Sequence, residues 1–144
     1  MKLHDILIAE DNDNDLELTV AALAERNLAN RLVVVRDGVE TLEYLECKGP
    51  YSDRKNGNPA VILLDIKMPR MDGIEVLEKI KQIPALKNIP VVMLTSSRED
   101  RDLSRAYELG VNAYVVKPVG FADFVDAVKQ IGTFWALLNE LPPK

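Results

Sequence analysis

The sequence has 144 residues, of which 47% are hydrophobic, and its formal net charge at neutral pH is −5. This length fits one domain with a continuous core, which excludes a disordered tail and a disulfide-dependent miniprotein. The acidic balance disfavours direct binding to nucleic acid or to an anionic membrane. A single cysteine suits a reducing compartment, and no apolar run approaches the ~20 residues of a membrane span, so we expect a cytoplasmic protein.

Short apolar runs alternate with segments of helical period along the chain. The runs predict strands at residues 6–9, 31–35, 60–64, 91–94 and 113–116. After each run, apolar residues recur at helical spacing: Leu16, Val20 and Leu23; Val39, Leu42 and Leu45; Ile74, Leu77 and Ile80; Leu103, Ala106 and Tyr107; Phe121, Phe124, Val125, Val128 and Ile131. Five strands alternating with five helices predict an α/β fold, in which helices cover both faces of an open, doubly wound parallel sheet.

Local signals mark two helix starts and one loop. Asp37, with Glu40 three residues later, has the pattern of a capping box at the start of the second helix. Ser97 and Asp100 have a similar pattern before the fourth helix. Residues 46–59 contain two prolines, two glycines and five charged residues, so we expect an exposed surface loop there.

Polar residues follow four of the predicted strands at the point where each strand ends. They are Glu10 and Asp11, Asp65, Thr95 and Ser96, and Lys117 and Pro118. Because the carboxyl ends of parallel strands meet at one edge of a sheet, three carboxylates, a hydroxyl and an ammonium are expected to converge. Oxygen ligands without histidine or cysteine favour a hard cation such as Mg²⁺, and a lysine beside it suits phosphoryl oxygens. Asp65 leaves the predicted central strand, which makes it the best candidate for a nucleophile that forms an aspartyl phosphate.

Four segments together resemble a known family: ILIAEDN, LLDIKMPRMDG, VVMLTSS and AYVVKP. In this order and at this spacing they are similar to the signature segments of response-regulator receiver domains, and the similarity covers nearly the whole chain. It implies a flavodoxin-like (βα)5 fold with strand order 2-1-3-4-5. It also implies a single receiver domain over residues 1–144, similar to the single-domain chemotaxis regulators, with a last helix extended over about residues 120–140.

The resemblance implies roles for the acidic residues. Asp65 would be the phosphoacceptor. Mg²⁺, or Mn²⁺ in its place, would be bound by Asp11, Asp65 and the backbone carbonyl of Lys67, with Glu10 contributing through water. Lys67 and Ser97 would flank the path of the water that hydrolyses the acyl phosphate, so we expect them to tune the lifetime of the phosphorylated state.

The resemblance also implies how the phosphoryl group is held and sensed. Thr95 and Lys117 would contact the phosphoryl group, and Thr95 with Tyr114 would form the switch. Pro118 would follow a cis peptide bond. The protein would not be an enzyme beyond slow Mg²⁺-dependent self-phosphorylation from small donors and self-dephosphorylation.

The expected partner is a sensor histidine kinase or a phosphotransfer protein. The 46–59 segment and the ending around Phe134 and Trp135 resemble small regulators paired with bacterial phytochrome kinases. The predicted fifth helix takes up most of the chain after Pro118, so we expect output through protein contacts or phosphoryl relay. A homodimer would use the face of the fourth helix, fifth strand and fifth helix, or the C-terminal helix, whose apolar residues otherwise cover the core.

Three other interpretations remain open at this point. A Mg²⁺-dependent phosphohydrolase would also use Asp65 as its nucleophile, but such enzymes usually carry a second aspartate two residues later, where this chain has Lys67. A flavodoxin-like cofactor binder lacks support, because the chain contains neither G-x-G-x-x-G nor a P-loop. A degenerate receiver that works without phosphorylation is disfavoured by the intact set of strand-end residues.

Overall fold

The computed structural model describes residues 5–24, 32–55, 57–96 and 100–117, together with residues 120, 122, 123 and 126. The elements in chain order are β1 (Ile6–Ala9), α1 (Asp13–Ala24), β2 (Leu32–Val35), α2 (Gly38–Glu46), a 3₁₀ turn (Gly49–Tyr51), β3 (Val61–Asp65), α3 (Gly73–Gln82), β4 (Val91–Thr95), α4 (Asp100–Glu108) and β5 (Ala113–Val116). All five predicted strands are present. Most of the predicted fifth helix, including Phe134 and Trp135, lies outside the described residues.

The strands form one parallel sheet in the order β2-β1-β3-β4-β5, which confirms the predicted topology. The register pairs Ala9 with Leu64, Asp65 with Leu94 and Thr95 with Val116, so the last residues of β1, β3, β4 and β5 lie at the same edge. β3 and β4 each extend one residue beyond the prediction, and their last residues are therefore the polar Asp65 and Thr95.

The core lies on both faces of the sheet, because alternate residues of each strand point to opposite sides. On one face, Leu7, Leu64 and Met93 pack with apolar residues of α2 and α3. On the other face, Ile8 and Leu63 pack with Leu23 of α1 and other residues of that cluster. All five residues of β3 are buried, as expected for a central strand covered on both faces.

Aspartates cap α2 and α3. The Asp37 and Asp72 carboxylates accept hydrogen bonds from the backbone N–H groups of Glu40 and Glu75, at 2.7 and 2.9 Å. The predicted capping box at Asp37 is only half formed, because the Glu40 carboxylate accepts from the N–H of Arg36 instead of from Asp37. The predicted cap at Ser97 lies outside the described residues.

The segment at 46–59 is mostly exposed, as predicted, but it is fastened to α2. The hydroxyl of half-buried Tyr51 donates to Glu40 Oε2 at 2.6 Å, and its ring meets the Tyr44 ring edge-on at 5.1 Å between centroids. The Arg54 guanidinium stacks over Tyr44 at 4.1 Å and donates to the Tyr44 carbonyl at 2.8 Å. The segment that the sequence predicted to be a loop therefore contains an ordered 3₁₀ turn. Within the part of the chain described, no helix is long and apolar enough to cross a membrane.

Candidate functional site

Three carboxylates meet at the carboxyl edge of the sheet. Asp65 ends β3 and Glu10 follows β1, and both are buried, whereas the neighbouring Asp11 is exposed. Each residue offers one oxygen, and these oxygens lie within 4.8 Å of one another. The structure thus brings together the three acidic residues that the sequence placed at neighbouring strand ends.

A buried ammonium neutralises part of this charge. Lys117 follows β5, and its backbone N–H donates to the Thr95 carbonyl at 2.7 Å, which anchors the residue beside β4. Its side chain is 6% exposed, and Nζ lies 2.9 Å from Glu10 Oε1, 2.8 Å from Asp15 Oδ2 and 3.3 Å from Asp65 Oδ1. Lys117 therefore joins the end of β1, the first turn of α1 and the end of β3.

The electrostatics follow from this burial and proximity. Burial raises the pKa of Asp65 to about 7, Glu10 adds to the increase, and Lys117 opposes it. Burial alone would lower the pKa of Lys117, but its hydrogen bonds to Asp15 and Glu10 and the charge of Asp65 raise it above the usual value. Carboxylates outnumber the single ammonium in this group, and the site therefore has a deficit of positive charge.

The loop after β3 is packed tightly against its surroundings. A Cβ atom at Gly73 would lie 2.2 Å from the Asp65 carbonyl oxygen, so only glycine fits where α3 begins. Arg70 adopts a left-handed backbone conformation at φ 66° and makes a bidentate ion pair with Asp37, with contacts of 2.9 and 3.1 Å from Nη2. These contacts fix the loop between β3 and α3, which carries Lys67, against the start of α2.

The loop after β1 is held in a similar way. The Arg36 guanidinium donates to the backbone carbonyl of Asp11 at 3.0 Å and forms an ion pair with Asp13. The Asn12 side chain accepts from the N–H of Asp15 at 2.9 Å and so caps α1. Asp11 and Asp15 therefore lie in a turn at the start of α1 that is held by the contacts of Arg36 and Asn12.

A cavity of about 350 Å³ opens at this edge, and its lining residues are Asp11, Asn12, Asp15, Asp65, Lys67, Ser96 and Lys117. Thr95 is buried directly before Ser96 at the end of β4. Tyr114 of β5 is half-buried, and its ring stacks on Tyr107 of α4 at 6.4 Å between centroids. The predicted site residues Ser97 and Pro118 lie outside the described residues.

Asp15 is the site residue that sequence reasoning missed. It lies within the acidic run that begins at Glu10, and strand-end logic does not separate it from the exposed Asp13. Asp11 precedes α1, so helical spacing does not relate the two residues, and no signal in the local sequence singles out Asp15.

The donor set suits a divalent cation. Three carboxylate oxygens within 4.8 Å of one another are compatible with sharing one ion whose oxygen ligands lie roughly 2.0–2.6 Å away. The set contains oxygen donors and neither histidine nor cysteine, which favours a hard ion such as Mg²⁺, Mn²⁺ or Ca²⁺. The excess of carboxylates over the single ammonium of Lys117 also favours binding of a cation.

Comparison with known proteins agrees with this geometry. Residues 6–129 match the model of the response regulator receiver domain. The response regulator Rcp1 of Synechocystis sp. is 39% identical over 137 residues, which cover 95% of this chain and 92% of Rcp1. A solved structure of its Mn²⁺-bound form is similar with a TM-score of 0.76, 38% identity and coverage of 97% and 99%.

Two further solved structures are similar over almost their full length. The bacteriophytochrome response regulator AtBRR is 58% identical, with a TM-score of 0.87 and coverage of 97% of this chain and 100% of AtBRR. The phosphorylated cyanobacterial phytochrome response regulator RcpA is 38% identical, with a TM-score of 0.78 and coverage of 99% and 100%. The predicted resemblance is confirmed, and the phosphohydrolase alternative is not favoured. The chain belongs to the response regulator receiver domain family of two-component signalling, and its relatives include phytochrome-associated response regulators.

Proposed function

We propose that this protein is a phosphorylation switch in which Asp65 accepts a phosphoryl group from a histidine kinase or a phosphotransfer protein. The observation that carries the proposal is the burial of Asp65 at the end of β3, 3.3 Å from Lys117 Nζ and grouped with Glu10 and Asp11. The phosphorylated state of its relative RcpA supports it.

In the proposed reaction, an Asp65 carboxylate oxygen attacks phosphorus and the donor leaves with the bonding electrons, which produces an acyl phosphate. Asp65 must be ionised to attack, and its raised pKa means that positive charge is required beside it. Lys117 supplies part of that charge and contacts the phosphoryl oxygens, and the Thr95 hydroxyl donates to another of them.

We further propose that Mg²⁺, or Mn²⁺ in its place, binds to the carboxylates of Asp11 and Asp65 and to the Lys67 carbonyl, with Glu10 acting through water. When bound, the ion neutralises charge that Lys117 leaves unbalanced and so favours approach of an anionic donor. The existence of a Mn²⁺-bound form of Rcp1 supports the binding of a divalent ion.

Output is proposed to pass through the surface of the receiver domain itself. Thr95 would move toward the phosphoryl group, and Tyr114 would respond by turning inward. Tyr114 stacks on Tyr107, an exposed residue of α4, so a movement of Tyr114 would alter the α4–β5 surface. A homodimer through that surface and the predicted fifth helix, or through the predicted C-terminal helix alone, is one form of output that fits.

The kinase is proposed to be a bacteriophytochrome. Support comes from AtBRR, which is a bacteriophytochrome response regulator.

Residues 1–144 are proposed to act as a single receiver domain. The match to Rcp1 covers 92% of that protein and supports this proposal. Lys67 and Ser97 are proposed to tune the lifetime of the phosphorylated state, and Pro118 to follow a cis peptide bond.

The proposal is tested by incubating the protein with acetyl phosphate and Mg²⁺ and measuring intact mass. We expect one phosphoryl adduct on the wild type and none on Asp65→Asn. Asp53→Asn makes the same chemical change at an exposed position and should keep the adduct. Absence of an adduct on the wild type, or its persistence in Asp65→Asn, would contradict the proposed phosphoacceptor.

A further inference from the structure

The shortest ion pair of Lys117 is with a residue outside the set of strand-end groups. Nζ lies 2.8 Å from Asp15 Oδ2, compared with 2.9 Å to Glu10 and 3.3 Å to Asp65. Asp15 is the third residue of α1, and the Asn12 cap on its N–H fixes its backbone. Its carboxylate lines the same cavity as Asp65.

A count of hydrogen-bond donors shows what this contact does. A lysine ammonium has three N–H donors, and Nζ donates to Glu10 and Asp15 at 2.9 and 2.8 Å, whereas its contact with Asp65 is longer, at 3.3 Å. A phosphoryl oxygen on Asp65 can take over the donor that faces Asp65. A second hydrogen bond from Nζ to the phosphoryl group, or a shift of Nζ toward it, requires Glu10 or Asp15 to release Lys117. Glu10 has no exposed side-chain surface. Asp15, with 30% of its side chain exposed, is the partner that can turn toward water.

We propose that Asp15 is a positioning residue that holds Lys117 in the unphosphorylated state and competes with the phosphoryl group for it. This inference rests on the proposed phosphorylation of Asp65. Conversion of the Asp65 carboxylate to an acyl phosphate replaces one negative charge in the cavity by roughly 1.5–2, so it also increases the repulsion of the Asp15 carboxylate. Both effects oppose phosphorylation, and Asp15 thereby shifts the population toward the unphosphorylated form.

The geometry separates this role from metal binding. Among the described residues, the group of three carboxylates whose oxygens all come within 4.8 Å of one another is Glu10, Asp11 and Asp65. Asp15 is not in that group and contacts Lys117 instead. Its removal should therefore affect a phosphoryl mimic more than the metal ion.

The test uses beryllofluoride, a noncovalent phosphoryl mimic, titrated into the full chain at saturating Mn²⁺. We expect Asp15→Asn to bind it about tenfold more tightly than the wild type, the size expected when one charge-assisted hydrogen bond no longer has to be broken. Mn²⁺ affinity alone, measured from the signal of the free ion in electron paramagnetic resonance, should change by less than about threefold. Asp13→Asn is the control, because Asp13 is also in the first turn of α1 but pairs with Arg36.

A purely structural role for Asp15 predicts lower stability without tighter binding of beryllofluoride. Asp15→Ser also removes the charge and must shift the affinity in the same direction, which covers the case in which Asp15→Asn does not fold. Wild-type or weaker affinity in the folded variants would overturn the inference. If the wild type itself neither binds beryllofluoride nor takes up a phosphoryl group, the proposed function fails instead.

Discussion

The buried carboxylate of Asp65 should reduce the stability of the metal-free protein, and Asp65→Asn should restore it. Asparagine has nearly the same shape but carries no charge into the site. Ionising Asp65 in the folded state is unfavourable because the residue is 4% exposed and lies beside Glu10. The substitution that abolishes the phosphoacceptor is therefore expected to stabilise the fold, a trade-off often found at functional sites.

The magnitude follows from the pKa of Asp65, which is raised from 3.8 to about 7. At about 1.4 kcal/mol per pKa unit, the free energy lost by ionising the folded protein is at most about 4 kcal/mol. Water that enters the open cavity and movement of Lys117 reduce this ceiling, and we expect a gain of about 2 kcal/mol for Asp65→Asn.

The sign of the pH dependence is opposite to that of an ordinary paired aspartate. Between pH 3.8 and about 7, the folded protein keeps a proton on Asp65 that the unfolded chain has released. The contribution of Asp65 to the stability of the wild type therefore falls as pH rises through this range and then levels off. The advantage of Asp65→Asn should be absent below this range, grow across it and stay constant above it.

Urea unfolding followed by circular dichroism, with a chelator present, measures this difference at about pH 5 and about pH 8. Asp53→Asn is the matched control and should show no gain that depends on pH. Added Mg²⁺ should narrow the gap, because a cation that binds the folded wild type stabilises it. If Asp65→Asn is no more stable than the wild type at the higher pH, or if the gain is equal at both, the reasoning is wrong.

Three further changes test other parts of the structure. Gly73→Ala places a Cβ atom 2.2 Å from the Asp65 carbonyl oxygen and should lower the free energy of unfolding by about 1–3 kcal/mol in urea titrations. Tyr51→Phe removes the hydrogen bond to Glu40 and should cost about 1 kcal/mol, seen as a lower Tm. Lys67→Ala should change the rate at which the phosphoryl group is lost more than the affinity for beryllofluoride, because Lys67 is an exposed residue that lines the cavity.

Each of these changes has a control in the same chain. For Gly73→Ala it is Gly120→Ala, whose Cβ atom would meet its nearest neighbour at an ordinary 3.5 Å. Tyr107→Phe, at an exposed tyrosine, should leave the Tm almost unchanged. Lys55→Ala removes another exposed lysine and should not alter phosphoryl loss. An unchanged decay rate in Lys67→Ala, or a stability equal to its control in either of the others, would refute the corresponding prediction.

The fold was predictable because each strand is a continuous apolar run that stops at a polar residue. In a parallel sheet covered on both faces, that change marks the edge where a site forms, and Asp65 and Thr95 are indeed the last residues of β3 and β4. Periodicity also placed the helices that carry Leu23 and Leu77, which are both fully buried.

The contacts made by side chains at a distance were not predictable in the same way. The local sequence pattern does not indicate that Lys117 forms its ion pair with Asp15 and not with Asp13. The partner depends on how α1 is oriented against the sheet. The 3₁₀ turn in the 46–59 segment is likewise stabilised by Tyr44 and Glu40 of α2, and loop composition carries no information about those partners.

The Lys117–Glu10 ion pair joins residues 107 positions apart in the chain. Bringing together the ends of β1 and β5 requires closure of most of the polypeptide, an entropic cost that is met late in folding. A cation or a phosphoryl mimic thus finds no binding site in the nascent or partly folded chain. Ligands of this protein are consequently expected to lengthen the lifetime of the folded state by slowing its unfolding, while the rate at which the chain first folds stays the same.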